Sequence, residues 1–445
     1  MKRNKSAEET LKVIETLNLK FGQVFHNYFP NLRSLLKKTD DRRHQSYIDY
    51  PREYIHMFVI LSSIFRVKAS HLSSVEILGK NSIKNINELV GTNLDKIIHE
   101  TTISYFYNNF DDYSADKLLK VPTEIVRSII RKKTLENFRL LDKYYLVAVD
   151  GTGVISFKER HCDKCLTKKN SDGSTTYFHN VLTAQIVTYT GYIFPLDFEF
   201  IENPEDNEYK KQDAEYKAFI RMYPRIIKNF PQELFCFLLD GLYADSVIMK
   251  MVGERSKFFI ALQDKDFKSV NEDFEGLFKL VPENKVICGE QSTIFVNDMK
   301  YKDCEFSIVE SIEPHTSPNA KSDTYKQKYL TNITVTKSNI IQLINQGGRL
   351  RGIIENQGYN VLKNDYSLEH PFRKKSLEAI KSVICLTCIA YIIFQFFIVA
   401  ACKSKYKASI LFKALKILAD KLKQTFTGEP LPVFKIPLRI SFNFD

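Results

Sequence analysis

The sequence predicts an α/β protein: a helical N-terminal region, then a β-rich core that closes in helices. Three observations predict it. Apolar residues recur at helical spacing through the first 140 or so positions. From residue 143 onward, short runs rich in Val, Ile, Phe and Tyr alternate with Gly and Asp-Gly breaks. A 21-residue uncharged run, Ser382 to Cys402, has the all-round apolarity of a helix at the centre of a large domain.

Taken in order, residues 1–140 carry the helical texture. "DYPREYIHMFVILSSIFRV" is a dense apolar run, and "VPTEIVRSIIRKKTLENFRLL" places Ile125, Val126, Ile129 and Ile130 on one face. The other face carries Arg127, Arg131, Lys132 and Lys133, either a solvated face or a stripe turned toward DNA. Tyr145 to Val149 reads as a strand that ends at Asp150, broken by Gly151 and Gly153. "TTYFHNVLTAQIVTYTGYIFPLDFEFI" supplies two more strands around Thr190-Gly191, so the first three strands form an antiparallel meander. A charged helix follows, "KKQDAEYKAFIRMYPRIIKNF". Leu234 to Leu239 is again an apolar strand, ending at Asp240-Gly241, and Asp245 or Ser246 caps the next helix. "KFFIALQ" is a buried strand. The polar stretch 265–328, with fragments such as "KVICGE", "STIFVN" and "CEFSIVE", reads as a β-rich insertion. "YLTNITV" resumes the core, and "SNIIQLINQG" opens the closing helices. The expected division is therefore 1–140 helical, 141–264 and 329–420 core, 265–328 insertion and 421–445 tail.

Lys plus Arg number 64 against 53 Asp plus Glu, a net charge of +11 with pI near 9.0, which favours a polyanionic partner. Eight cysteines in 445 residues are too sparse for a disulfide scaffold. The start, "MKRNKSAEETLKVIETLNLK", lacks the apolar run of a secretory signal. A reducing cytoplasm is the expected location. The run 382–402 would span ~31 Å as a helix, enough for a bilayer core. It stands alone, however, and Lys381 and Lys403 flank it, so a buried core helix is expected and no membrane partner.

Two matched strands end in Asp-Gly, which sets Asp150 and Asp240 at a sheet edge where a ligand can approach. A third acid, Glu355, lies in the basic segment "GRLRGIIENQGYNVLKN" beside Arg349, Arg351 and Lys363. On a regular helix Arg351 and Glu355, four apart, share a face.

These motifs resemble those of the DDE transposases of bacterial insertion sequences. "LVAVDGTG" is similar to the first motif, "LLDGLYAD" to the second, and "YLTNITV…GRLRGIIENQGYNVLKNDYSLEH" to the third. The resemblance implies an RNase H-like catalytic core with an inserted β-rich region and an N-terminal helical domain that helps bind transposon ends. Asp150, Asp240 and Glu355 are then the catalytic residues and the ligands of two Mg²⁺ (or Mn²⁺) ions. Asp150 would touch both ions and the other two acids one each. Arg349, Arg351 and Lys363 would grip the backbone of double-stranded DNA, at terminal inverted repeats and at the target, with a homodimer on paired ends. The third motif departs from the pattern Y-x2-R-x3-E-x6-K. Gly348 replaces the tyrosine, Gly352 replaces an aromatic, and Lys363 comes one residue late. The rival expectation is a domesticated or decayed relative that binds DNA without cutting it.

"HCDKCL" gives Cys162 and Cys165 zinc spacing, with His161 adjacent and His179 nearby, a possible zinc site. Cys385 and Cys388 share the spacing inside the apolar run, where buried thiols are expected. Glu199, Glu202, Asp213 and Glu215 lie in a charged connector, and solvation is the expected state for all four.

Overall fold

The computed structural model of the protein describes residues 17–67, 80–202, 211–263, 267–315, 323–371, 373–402, 415–432 and 440. The N-terminal region is helical as expected: α1 (Leu17–Tyr28), α2 (Leu32–Leu36), α3 (Arg52–Ile64), α4 (Lys80–Val90), α5 (Glu100–Asn108), α6 (Asp112–Leu119) and α7 (Val121–Arg131). On the basic face of α7 Arg131, Lys132 and Lys133 are exposed and Arg127 is partly buried. Arg127 donates to the Asn229 carbonyl, and Lys132 donates to that of Asn27.

The core begins with an antiparallel meander of β1 (Tyr145–Phe157), β3 (Thr175–Val187) and β4 (Ile193–Ile201). The short β2 (Leu166–Lys169) pairs with the start of β3. The next elements are α8 (Lys211–Asn229), β5 (Phe235–Leu239), α9 (Ser246–Gly253), β6 (Lys257–Leu262) and α10 (Lys268–Phe278). β5 lies parallel to β1, and β6 parallel to β5. Then come β7 (Lys285–Cys288), β8 (Gln291–Tyr301), β9 (Cys304–Pro314) and β10 (Thr324–Thr331). All ten strands belong to one mixed sheet, ordered β2-β3-β1-β5-β6-β10-β9-β8-β7 with β4 also on β3. The fold is thus mixed α/β.

Two details differ from the sequence reading. β1 does not stop at Asp150. β3 pairs with it all the way to Phe157, and the glycines are absorbed in a register shift between Gly153 and Ile155. On its other side β5 pairs only Tyr145 to Ala148, so that edge of β1 opens two residues before Asp150. The 265–328 stretch is β-rich but starts with α10, and β10 crosses its expected end to pair with both β9 and β6. Its strands prolong the core sheet.

Helices cover both faces, as the alternation along β4 records. Asp197 and Glu199 point at Arg225 of α8, while Phe194 and Phe200 meet Phe396 and Lys381 on the opposite side. The closing helices are α11 (Ile340–Asn345), α12 (Asn360–Tyr366), α13 (Leu377–Cys402) and α14 (Leu415–Gly428). α13 contains the apolar run, and its most apolar window is fully buried. Phe21 and Tyr28 of α1 pack on Phe397 and Phe396, and Cys385 Sγ donates to the Leu118 carbonyl at the end of α6. Its Gln395 is satisfied by the Ile193 N–H and carbonyl at 2.9 and 2.6 Å. α14 spans the expected boundary at 420 and packs on α1, with Phe426 edge-on to Phe21.

Candidate active site

Asp150 and Asp240 meet at one guanidinium. Arg351 Nη2 lies 3.5 Å from Asp150 Oδ1 and 3.4 Å from Asp240 Oδ2. The topology causes this: β1 and β5 are parallel neighbours, so residues just past their last shared pairing emerge side by side. The other oxygen of Asp240 accepts from the Leu242 N–H at 3.0 Å, which fixes its rotamer.

The chain that carries Arg351 and Glu355 is not a regular α-helix. Gly348–Gly352 is a 3₁₀ turn and Ile354–Tyr359 a π-helical turn, followed by α12. Four residues no longer return to the same face when the winding first tightens and then loosens. Arg351 therefore turns to the aspartates, while Glu355 is exposed and forms no ion pair among the described residues. The expected Arg351–Glu355 face is absent for that reason. The ring of Tyr329 fills the space beside Gly348, where an added Cβ would come 2.8 Å from it.

The π turn delivers Tyr359 to the back of Asp150. The Tyr359 hydroxyl donates to the Asp150 carbonyl and accepts from Thr183 Oγ1 at 2.7 Å. Thr183 in turn accepts from Gln185 Nε2 at 2.8 Å, which completes a relay of hydrogen bonds. Burial and the neighbouring Asp150 hold the Tyr359 pKa well above 10, so it stays a donor. Tyr243 is likewise buried, its pKa raised by desolvation and then by Asp240, Glu215 and Asp150.

Glu215 belongs to this cluster, contrary to the solvated state expected of it. It is buried on α8, and a Cβ on Gly151 would collide with its carboxylate, so only glycine admits the close approach. The signal was present in the sequence: Ala218, Phe219 and Met222 follow at i+3, i+4 and i+7, which puts Glu215 on the buried face. Glu199 is also paired rather than solvated, with Arg221 and Arg225 at 2.6 and 2.9 Å. Glu202 meets Lys164 at 3.4 Å. The Asp213 side chain lies outside the described residues. Asp245 caps α9 as expected, accepting from the Val247 and Ile248 N–H groups.

The other two basic candidates are engaged in the protein. Arg349 bonds Gln327 at 2.7 Å and Glu313 at 2.8 Å, tying the turn to β10 and β9. Lys363 pairs with Glu369 at 2.7 Å.

A second cluster lies at the far end of the β1–β3 hairpin. Cys162 Sγ and Cys165 Sγ are 3.8 Å apart, and each is 3.5 Å from His179 Nε2. Burial lowers the His179 pKa to about 4, so this imidazole is neutral at neutral pH.

The chain matches no known family model and no curated protein.

Proposed function

We propose that this protein is a DDE-type transposase, which cuts DNA at insertion-sequence ends and joins those ends to a target. The observation that carries the reading is the convergence of Asp150 and Asp240, from adjacent parallel strands, on Arg351. The sheet supports it too. A three-stranded antiparallel meander continued by two parallel strands, with one acid within the first strand just past its parallel pairing and one after the fourth, fits an RNase H-like core.

Asp150 and Asp240 offer the oxygen donors that hard divalent ions take, while Glu355 is not gathered with them: among the described residues the group of three or more close metal-ligating side chains is His161, Cys162, Cys165 and His179. The site is lined by carboxylate oxygens and already holds one positive group between two of them. Asp150 and Asp240 would hold Mg²⁺ or Mn²⁺, and Glu355, exposed on the π turn, would join them only by turning toward the pair. Such ions, when bound, would supply activation of the attacking water or 3′-hydroxyl and charge neutralisation at the leaving oxygen. The chain's own groups do the positioning. Tyr359 fixes the backbone at Asp150, and the Leu242 N–H orients Asp240. Arg351 passes from the carboxylates to a DNA phosphate, which leaves the acids free for cations. Double-stranded DNA is the partner, bound by a homodimer in the bacterial cytoplasm.

Asp150→Asn, Asp240→Asn and Glu355→Gln should each abolish Mg²⁺-dependent cleavage of a labelled end while gel-shift binding persists. Each keeps side-chain shape and removes one negative ligand. Asp245→Asn should cut nearly normally, since Asn also caps helices. Wild-type cleavage by Glu355→Gln would remove it as a ligand. The second reading, DNA binding without cleavage, draws on the same Arg351 bridge, which ties up both aspartates. A protein that never cuts its own ends in Mg²⁺ or Mn²⁺ yet binds them would establish that reading instead.

A further inference from the structure

Away from the acidic site, the ligand atoms of His161, Cys162, Cys165 and His179 all lie within 4.8 Å of one another. We propose that these four side chains bind one Zn²⁺ as a closed structural site. The distances carry the proposal. Zinc bonds of about 2.3 Å to sulfur and about 2.0–2.1 Å to nitrogen, at tetrahedral angles, require S···S edges near 3.8 Å and S···N edges near 3.6 Å. The observed edges are 3.8, 3.5 and 3.5 Å. A disulfide would hold the sulfurs at about 2.05 Å, so these are two thiols arranged around a common point.

His161 supplies the fourth corner. Its Nε2–H donates to the Lys374 carbonyl at 2.6 Å, and its Nδ1 is buried without a hydrogen-bond partner. This is the outer-shell arrangement of a metal-bound histidine, in which a backbone carbonyl fixes the tautomer and frees the other nitrogen. Phe157 stacks flat on the ring, centroids 4.3 Å apart and planes 6° off, and holds its orientation. The sulfurs are prepared as well: the Lys164 N–H points at Cys162 Sγ, and the Cys162 N–H at Cys165 Sγ. Binding releases two thiol protons. Four protein ligands leave no open position, so the ion is structural. It would clasp the β1–β3 hairpin and, through His161 and Lys374, the segment leading into α13. Cys385 and Cys388 have the same spacing but no such surroundings; Cys385 donates to a backbone carbonyl inside the helical core.

Full-length protein, purified without a polyhistidine tag or chelator, should carry about one zinc per chain by elemental analysis. Replacing it with Co²⁺ should give the intense visible bands of tetrahedral cobalt and a thiolate charge-transfer band. Cys162→Ser and Cys165→Ser should each lose more than the roughly 10–100-fold in affinity typical of outer-shell changes. Cys288→Ser, at an exposed strand end, should retain zinc. If the site variants do not fold, the cobalt spectrum of the unmodified protein decides. Weak octahedral bands, or zinc retained in both cysteine variants, would overturn the proposal. So would folded, zinc-free protein from zinc-supplemented cells with Cys162 and Cys165 freely alkylated or joined. DNA cleavage is not the readout, so this test and that of the transposase reading fail independently.

Discussion

At the scale of single residues, Tyr359 and His56 make the sharpest tests. Tyr359→Phe removes one hydroxyl, taking a donor from the Asp150 carbonyl and the acceptor from the Thr183 hydroxyl, which keeps its bond from Gln185. Unsatisfied buried groups cost about 1–3 kcal/mol each, so urea unfolding should show a loss of that order. End cleavage should fall as well, since the strand at Asp150 loses its brace; unchanged stability and cleavage would remove Tyr359 from the site. His56 is fully buried between Thr39 Oγ1 at 3.0 Å and the Tyr107 hydroxyl at 2.8 Å. Burial lowers its pKa from 6.5 to about 3. A lowered folded pKa favours the neutral ring, so its stabilisation is complete above 6.5 and is lost as pH falls toward 3. The slope is about 1.4 kcal/mol per pH unit. His56→Gln should flatten the decline of unfolding free energy through that window, and a slope equal to wild type would exclude His56 as its source. The places of Asp240 and Asp245 were legible in sequence because a strand's end and a helix's start have residue signatures, whereas Asp150 lies within β1 and not at its end. Tyr359 was not read, because its role depends on which elements the fold presses together; Glu215 was missed although Ala218, Phe219 and Met222 mark its helix face as buried.

At the scale of elements, the break in winding between Gly348 and Tyr359 decides what each side chain meets. A π turn accommodates an extra residue relative to an α-helix and rotates everything after it. Deleting the exposed Asn356 should let the turn close as α-helix and swing Tyr359 away from Asp150, with cleavage lost. Asn356→Ala, which keeps the count, should be nearly silent. If the deletion cuts as well as wild type, the π turn has no positioning role. The strands themselves were largely legible. Short apolar runs located β1, β5 and β6, with Asp-Gly after the runs of the first two, and the meander followed from its turn. The run of β1 beyond its glycines was not legible, since only pairing with β3 sustains it. Nor was the attachment of β7–β10 to the core sheet, because local pattern does not say which edge a strand will join. On α7 the exposed Arg131, Lys132 and Lys133 agree with a solvated or DNA-facing stripe, while the carbonyl contacts of Arg127 and Lys132 reach partners outside their own sequence neighbourhood.

At the scale of the whole molecule, the apolar helix α13 is packed by the N-terminal helices on one side and by β4 of the core on the other. Gln395, its single amide amid hydrocarbon, makes the enclosure specific by locking to Ile193. Gln395→Leu leaves that edge of β4 without its partner and should cost about 1–3 kcal/mol in unfolding free energy; a neutral outcome would mean that water or another group takes over. The order of synthesis adds a consequence. Helices α1 and α3 leave the ribosome with the faces that will hold α13 already displayed. At roughly 5–20 residues per second, on the order of tens of seconds pass before their partner is translated. Nascent chains stalled before residue 377 should therefore stay associated with general chaperones, and chains stalled well past Cys402 should be released. A cell that truncates this gene midway gains a sticky fragment rather than a silent one.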